Sequence, residues 1–314
     1  MRRLLSASVM LFAVVVSARA QRAPGSPIAE GTRHAYFAAI DRAGDSVPDL
    51  TAAEVRVRED GQERKVVSVE RATAPMHVAL LVDDSGAGLR FIREGTGAFI
   101  QRLGGRAEMS LTSTGGKNTS LVEFTREVNA LYDGVRRLTT RNTSNAVDGA
   151  YLLDAVHDAI GALAERAPER PAIVVLTLEG SEFSSRRADR LLAELQSSRA
   201  VLHVVALGKP TLKTMTPWSE GPMQSMRENL DESINRKKFL EDGARQSGGR
   251  FEQVLVDSGV PSALTAVAQE LASQYVVVYN RQNESSARKI NIAVTRDGVK
   301  VRARTDLPRS AGSK

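Results

Sequence analysis

Residues 78–88 have the sequence VALLVDDSGAG, an apolar run followed by two aspartates, a serine and a glycine. A short apolar run of this kind predicts a buried strand, with Asp83 and Ser85 in the loop that follows it. Ligands bind at the carboxyl ends of strands in open α/β sheets, and carboxylate and hydroxyl oxygens suit Mg²⁺. Ala87 has no side-chain oxygen, so it cannot supply a third donor.

The composition predicts a core built from aliphatic side chains. The chain has 314 residues, of which 42% are apolar and only 4% aromatic. This length suits one large domain or two modest ones, and such a core suits buried parallel strands flanked by helices. The sequence contains no cysteine, which excludes disulfides and thiol chemistry.

The first 20 residues have the pattern of a secretory signal peptide. Arg2 and Arg3 precede an apolar stretch over 4–16, and the small residues of 18–20 form a cleavage site after Ala20. An uncleaved anchor is the alternative, but the apolar stretch is short for a membrane span. We therefore expect an exported protein, periplasmic or secreted, whose mature chain has no membrane span and begins with a flexible tether over 21–33.

The net charge does not indicate a nucleic-acid partner. The formal charge is +6, and three of the arginines lie within the predicted signal peptide. The other basic residues are interspersed with acidic ones, as over 56–65, and no basic stripe with interleaved aromatic residues is present. We expect a mixed-charge, solvated surface.

Residues 75–280 alternate between predicted strands and helices. Apolar residues recur at helical spacing over 92–103, 128–138, 152–163 and 264–271. This alternation predicts an α/β domain with a doubly wound, mostly parallel sheet. The predicted strands are His77–Val82, Met109–Thr112, Leu121–Phe124, Ala172–Leu178, Val201–Leu207 and Tyr275–Tyr279.

Two flanking segments are predicted to form a small β unit. Residues 34–74 contain alternating strands around an Asp60-Gly61 turn, and residues 281–307 contain a predicted hairpin around Asp297-Gly298. Neither segment could bury a core alone, so we expect the two to pack together. Residues 308–314 are a polar tail.

Residues 208–235 interrupt the alternation. They contain three prolines, three methionines and Trp218, the only tryptophan. The segment is predicted to be a long insert loop near the ligand-binding end of the sheet. Trp218 could contact a partner or fix its own loop to the body of the domain.

Six segments, in order, resemble the von Willebrand factor A domain, and the chain is most similar to the exported bacterial "VWFA-related" family of the acidobacterial type. The resemblance covers nearly the whole mature chain and implies the same doubly wound fold. The matching segments are 49–61, 82–86, 149–155, 173–180, 246–251 and 274–279.

The resemblance implies a metal-ion-dependent adhesion site, but a degenerate one. Asp83, Ser85 and Glu179 occupy metal-ligand positions of the family, with Glu179 replacing an aspartate. Ala87 and Ala150 occupy positions where the family has Ser and Thr, so two oxygen donors are lost. Mg²⁺ or Mn²⁺ could still bind to the remaining donors. However, Mg²⁺ demands near-octahedral geometry, so the loss of two donors favours a site that holds no metal.

Two further aspartates flank this site. Asp84 could be a ligand or contact a partner, or it could cap the helix that follows. Asp154 occupies a position that supports the site in the family, or it is a carboxylate favoured near a helix start.

No catalytic constellation accompanies the site. The sequence has no Gly-x-Ser-x-Gly turn and no base near Ser85, and the four histidines are isolated. His77 and His203 lie in apolar strands and are expected to be structural. We therefore expect a protein that is not an enzyme; a divergent hydrolase is the remote alternative.

Two hypotheses for function remain. The first is an exported, non-enzymatic binding or adhesion module that recognises a protein or cell-envelope partner. Its binding face would contain Asp83, Ser85, Glu179 and the 208–235 loop, with Asp84 and Trp218 as candidate partner contacts. The second is a structural or scaffolding protein with a dead metal site, whose contacts are made by the β unit.

Overall fold

A computed structural model describes residues 31–85, 88–139, 149–178, 181–184, 186–208, 223–281 and 289–307. The predicted signal peptide (1–20), most of the tether and the tail 308–314 lie outside the described residues. So do Ala87, Glu179 and Trp218.

Strands and helices alternate through most of the described residues. The strands are β1 (Thr32–Ile40), β2 (Val55–Glu59), β3 (Gln62–Arg64), β4 (Val66–Arg71), β5 (Met76–Val82), β6 (Ala107–Ser113), β7 (Thr119–Thr125), β8 (Gly149–Ala150), β9 (Arg170–Leu178), β10 (Ser181–Glu182), β11 (Val201–Leu207), β12 (Phe251–Val254), β13 (Tyr275–Asn280), β14 (Ile290–Val294) and β15 (Lys300–Ala303). The α-helices are α1 (Leu89–Leu103), α2 (Val128–Arg137), α3 (Leu152–Arg166), α4 (Ala188–Ser197), α5 (Met223–Ser247) and α6 (Val260–Ala272).

The central sheet has six strands in the order β12-β11-β9-β5-β6-β7. Every neighbouring pair is parallel except β6 and β7, which are antiparallel. This arrangement confirms the predicted doubly wound, mostly parallel sheet. The register pairs Val82 with Leu176 and Leu178 with Leu207, so the carboxyl ends of β5, β9 and β11 lie at one edge of the sheet.

Helices cover both faces of this sheet, which explains its continuous apolar strands. Along β9, Val174 and Leu176 enter the core formed with α1, α2 and α6, whereas Ile173 and Val175 enter the core formed with α3, α4 and α5. A strand buried on both faces has no polar face to alternate with its apolar one. The four predicted helical segments are confirmed as α1, α2, α3 and α6.

The flanking segments form two further sheets that share a third core. One sheet has the order β15-β1-β13-β4 and the other the order β14-β2-β3. Phe37, Val57, Tyr275 and Ile292 are among the side chains buried between them. We refer to these seven strands as the β unit.

The prediction that Tyr275–Tyr279 belongs to the central sheet is wrong. This strand, β13, lies in the β unit between β1 and β4 and is antiparallel to both. Tyr275, Val277 and Tyr279 are buried, while the residues between them are only partly covered. Such alternation belongs to a strand with one buried face, which distinguishes β13 from the strands of the central sheet.

The predicted hairpin within 281–307 is also wrong, although its strands exist. β14 pairs with β2 and β15 pairs with β1, so the chain crosses from one sheet to the other between them. Arg296 in this crossing forms ion pairs with Asp49 at 2.6 Å and with Glu54 at 2.7 Å. These contacts hold the crossing against the amino-terminal half of the β unit.

The predicted insert loop over 208–235 is helical in its second part, because α5 begins at Met223. Arg236, Phe239, Leu240 and Ala244 are buried at helical spacing, and they attach the carboxyl-terminal half of α5 to the sheet. The prolines and methionines obscured this spacing in the sequence. No helix in the described ranges is both long and apolar enough to cross a bilayer.

A buried polar cluster joins the central domain to the β unit. His203 on β11 is fully buried, and its Nδ1 accepts a hydrogen bond from the backbone N–H of Arg250 at 3.2 Å. Glu270 on α6 forms ion pairs with Arg250 at 3.2 Å and with Arg302 of β15 at 3.5 Å. The Nε2 atom of His203 is buried and finds no hydrogen-bond partner among the residues that the structure describes.

His203 is expected to make the fold sensitive to acid. Burial, with Arg302 and Arg250 nearby, lowers the pKa of His203 from 6.5 to about 3. At a pH between these two pKa values, His203 is protonated in the unfolded chain but not in the folded chain. Stability is therefore lost as the pH falls below 6.5. Between pH 7.5 and pH 5.0 the loss should be about 2 kcal/mol.

Urea unfolding of the wild type and of His203→Asn at both pH values measures this loss. Burial raises the pKa of Glu270, whose contribution has the opposite sign, but Glu270 is present in both proteins. The difference between the two proteins therefore isolates the histidine. An equal acid loss in the variant would contradict the assignment.

Candidate functional site

The candidate site lies at the edge of the central sheet where β5, β9 and β11 end. Asp83 follows β5 and is 2% exposed. Its Oδ1 accepts hydrogen bonds from the Ser85 backbone N–H at 3.1 Å and from the Ser85 hydroxyl at 2.6 Å. Its Oδ2 accepts one from the backbone N–H of Leu178 at 3.2 Å. The structure thus brings Asp83 and Ser85 together, and protein donors engage both carboxylate oxygens.

Asp84 is not a surface residue, which corrects the prediction that it contacts a partner. It is 1% exposed, and its carboxylate accepts hydrogen bonds from the Ser113 hydroxyl at 2.7 Å and the Thr139 backbone N–H at 2.9 Å. A Cβ on Gly115 would lie 2.5 Å from Asp84 Oδ1, so glycine lets the loop after β6 close over this carboxylate. Asp84 therefore connects three loops internally; it does not cap α1.

A buried arginine, which the sequence did not reveal, lies at the same edge. Arg236 on α5 is 4% exposed and donates hydrogen bonds to the Thr177 hydroxyl and to the Leu178 carbonyl oxygen. Its Nε lies 3.4 Å from the Glu182 carboxylate. Leu178 thus binds Asp83 through its N–H and Arg236 through its carbonyl.

Glu182 links this arginine to the start of α3. It is 2% exposed, and its Oε1 accepts hydrogen bonds from the backbone N–H groups of Leu153 and Ser184, each at 3.3 Å, and from the Ser184 hydroxyl. Burial raises the pKa of Glu182, against the opposing effects of Ser184 and Arg236. Asp154 lies beside this group, 3.6 Å from Arg186.

The described residues include two of the oxygen donors that the adhesion-type metal site implies, Asp83 and Ser85. These two donors are hydrogen-bonded to each other. Ala150 pairs with Glu182 in the β8–β10 ladder and stands at a position where the family has a threonine, so the side-chain oxygen is lost. Glu179 lies outside the described residues. Within the described ranges, no group of three or more His, Cys, Asp or Glu side chains is placed to hold a metal.

The same edge exposes apolar side chains. Leu255 and Val256 follow the carboxyl end of β12 and are 71% and 61% exposed. Asp257, the next residue, packs so closely against Gly88 at the start of α1 that a Cβ there would lie 2.6 Å from its carboxylate. The loop with Leu255 and Val256 is therefore a neighbour of the loop with Asp83 and Ser85. We call these two exposed residues the apolar corner.

Comparisons of the sequence with protein families and with curated proteins give no match. The fold does resemble solved structures. The conserved hypothetical protein BatB from Bacteroides thetaiotaomicron is 14% identical, with 63% of this chain and 97% of that one covered and a TM-score of 0.43.

Two other solved structures are similar. A von Willebrand factor type A protein from Catenulispora acidiphila is 9% identical, covering 87% of this chain and 72% of its own, with a TM-score of 0.45. The von Willebrand factor domain of a type V pili tip protein from Porphyromonas gingivalis is 11% identical, covering 63% of this chain and 95% of its own, with a TM-score of 0.43.

Proposed function

We propose that this chain, whose central domain has the von Willebrand factor A fold, is an exported, non-enzymatic binding module that recognises a protein partner of the cell envelope without a metal ion. The partner would bind at the carboxyl edge of the central sheet. The observation that supports this proposal most directly is the buried Arg236–Glu182 pair beside Asp83.

The chemistry of the edge favours contact without a metal. A bound cation would have to compete for Asp83 with the Ser85 hydroxyl and the Leu178 N–H, which already hydrogen-bond both carboxylate oxygens. Arg236 supplies a fixed positive charge where β9 ends, and a guanidinium satisfies carbonyl, hydroxyl and carboxylate oxygens together. We therefore propose that Arg236 and the hydrogen bonds of Asp83 order these loops in place of a cation.

The apolar corner supplies the contact surface. Leu255 and Val256 are adjacent, largely exposed and next to the Asp83 loop. Exposed apolar side chains that cluster beside an ordered polar edge are typical of protein–protein interfaces, whose centres are depleted of charge. Trp218, in the segment before α5, is proposed to add to this face.

The alternative, a scaffolding role through the β unit, has one observation in its favour. β4 is an outer strand of its sheet, and Val67 on it is 49% exposed. An outer strand with unpaired backbone groups can pair with a strand of another chain. The same variants can test both alternatives.

Binding to a washed cell-envelope preparation from the producing organism tests the proposal. Sedimentation should show saturable binding of the wild type with EDTA present, and Leu255→Ser with Val256→Ser should weaken it by about tenfold or more. Val67→Ser is the matched control, because it removes an exposed apolar residue from the β unit.

Three results would overturn the proposal. Loss of binding in EDTA would indicate a metal-dependent contact. Loss of binding in Val67→Ser with the corner variant unchanged would favour the scaffolding alternative. The absence of saturable binding to the envelope preparation would contradict both.

The mature chain is expected to bind neither Mg²⁺ nor Mn²⁺ at millimolar concentrations. Titration calorimetry and thermal unfolding should give no saturable heat and no shift in Tm, because the described donors fall short of an octahedral shell. Asp83→Asn is the control variant. Saturable heat in the wild type that disappears in Asp83→Asn would show that the degenerate site still works.

Export is expected to remove residues 1–20. The basic start, the apolar stretch over 4–16 and the small residues before Gln21 support cleavage after Ala20. Amino-terminal sequencing of the protein recovered from its natural source should therefore begin at Gln21. Recovery of a chain that begins at Met1 in the membrane fraction would contradict cleavage.

A further inference from the structure

We infer that this protein has a second binding site, at the opposite end of the central sheet from the proposed partner face, for a small organic monoanion with an apolar body. The site is a cavity of about 340 Å³ between the central domain and the β unit. We call it the basal cavity. Its walls come from the starts of β5, β9 and β11, the end of α6, and residues of β1 and β14.

The basal cavity has the size and the apolar walls of a small-molecule site. Binding pockets for small ligands usually occupy about 300–1,000 Å³ and often lie between domains. The apolar side chains around it come from both sides of the junction. They are Met76, Val201, Leu271, Ile290, Ile292 and Leu307.

The charges around the basal cavity are strongly unbalanced. Among the described residues that line it, Glu169 alone is acidic, and it accepts a hydrogen bond from the Tyr36 hydroxyl at 3.2 Å. Arg33, a fifth arginine in the lining, is paired with Glu59 at 2.9 Å. The other four lining arginines form no ion pair with any described residue; they are Arg170, Arg199, Arg281 and Arg304.

Arg304 lines the cavity and has two donor atoms that no described residue satisfies. Its Nη2 donates to the carbonyl oxygens of Leu195 at 3.0 Å and Gln196 at 2.8 Å, while its buried Nε and Nη1 have no hydrogen-bond partner among the described residues. Burial lowers the pKa of Arg304 to about 10, so it remains charged at neutral pH. A buried cation with unsatisfied donors is unfavourable until an anion or polar group reaches it.

Arg170 contributes charge but few free donors. It is 8% exposed and donates to the Leu271 carbonyl at 2.7 Å and to Gln274 Oε1 at 2.8 Å. Its partners are all neutral, so its positive charge is not cancelled. One set of free buried donors beside apolar walls suits a single carboxylate with a hydrocarbon body, in preference to a doubly charged phosphate.

Arg199 and Arg281 are exposed members of the lining. Neither side chain has a hydrogen bond or ion pair with the described part of the chain, so both are free to attract an anion towards Arg304. Electrostatic attraction by such residues raises the rate of association and weakens with added salt.

Titration calorimetry with hexanoate and with inorganic phosphate tests this site in the full mature chain. Hexanoate should bind saturably and raise Tm. Arg304→Gln should weaken hexanoate binding by about tenfold or more, because it removes charge-assisted hydrogen bonds. Arg199→Gln, at an exposed position that leaves the fold intact, should weaken it by a smaller factor. Arg137→Gln, an exposed arginine on α2, is the matched control and should have no effect.

Three results would overturn the inference. One is the absence of saturable hexanoate binding to the folded wild type. Another is hexanoate binding that neither Arg304→Gln nor Arg199→Gln weakens relative to Arg137→Gln. The third is phosphate binding as tight as hexanoate binding, which would overturn the assignment of an apolar monoanion. The proposed envelope partner binds at the other end of the sheet. A failure of envelope binding would therefore not change the expected binding of hexanoate to the basal cavity.

Discussion

Replacing Arg236 with methionine is expected to lower the free energy of unfolding by about 3–5 kcal/mol, because the variant leaves a buried carboxylate without its charged partner. The side chains of Arg236 and Glu182 are only 5% and 3% exposed, so solvent screens their interaction little. Urea unfolding at pH 7.5 measures the loss.

Two comparisons identify the origin of this loss. Removing both charges, in Arg236→Met with Glu182→Gln, should recover most of the stability, because no buried charge is then unpaired. Arg245→Met, on the same helix, removes a largely exposed side chain paired with Asp242 and should change stability by less than about 0.5 kcal/mol. Similar losses in all three variants would contradict a specific buried pair.

The loss should also depend on pH in a defined direction. Burial raises the pKa of Glu182 in the folded state, and removal of the Arg236 charge raises it further. A carboxyl whose folded pKa is raised destabilises the fold as pH rises through its unfolded value. The deficit of Arg236→Met relative to the wild type should therefore shrink as the pH is lowered from 7.5 to 5.

Gly249→Ala is expected to destabilise the fold by at least about 3 kcal/mol, because the added methyl has no space. A Cβ at Gly249 would overlap the carbonyl oxygen of Leu202 in β11. This neighbour is backbone within the central sheet and cannot rotate away as a side chain could. The close approach lets β12 pair with β11, where Val204 donates to the Arg250 carbonyl at 2.7 Å.

Gly161→Ala is the matched control for this effect. Gly161 lies within α3, and a Cβ there would meet nothing within 4 Å. Alanine should therefore stabilise the helix, by about 0.5–1 kcal/mol. Thermal and urea unfolding of both variants would give opposite signs, and a loss in both would show that the helix glycine has a role beyond conformational freedom.

Five of the six strands of the central sheet were predicted, because local sequence patterns identify them; β12 was missed. Apolar runs such as 78–82 and 201–207 are long enough to identify buried strands, and the helical stripes between them fix the alternation. The same logic placed Asp83 and Ser85 at the carboxyl edge, where the structure shows their hydrogen bond.

The pairing of β13, β14 and β15 was not predictable from local pattern. Alternation identifies a strand but not its partner, and the turn at Asp297-Gly298 suggested a hairpin where the chain instead changes sheets. The partner of each strand depends on contacts with residues near the other end of the sequence.

The buried ion pair of the candidate site was not predicted, for a related reason. Arg236 and Glu182 are distant in sequence, and each alone is an ordinary surface residue type. One clue was present: residues 236, 239, 240 and 244 follow helical spacing, which places Arg236 on the buried face of a helix. Their ion pair depends on the packing of α5 against β10, which the sequence alone does not show.

The layout of the β unit also determines the order in which the described parts of the protein can fold. Its strand β1 pairs with β15, with Phe37 opposite Ala303, so segments more than 260 residues apart must meet. Such distant pairings are slow to form, because a long loop has to close first. The central domain can therefore assemble first, and the β unit closes last. A chain that lacks β14 would leave the core around Phe37 open and prone to aggregation.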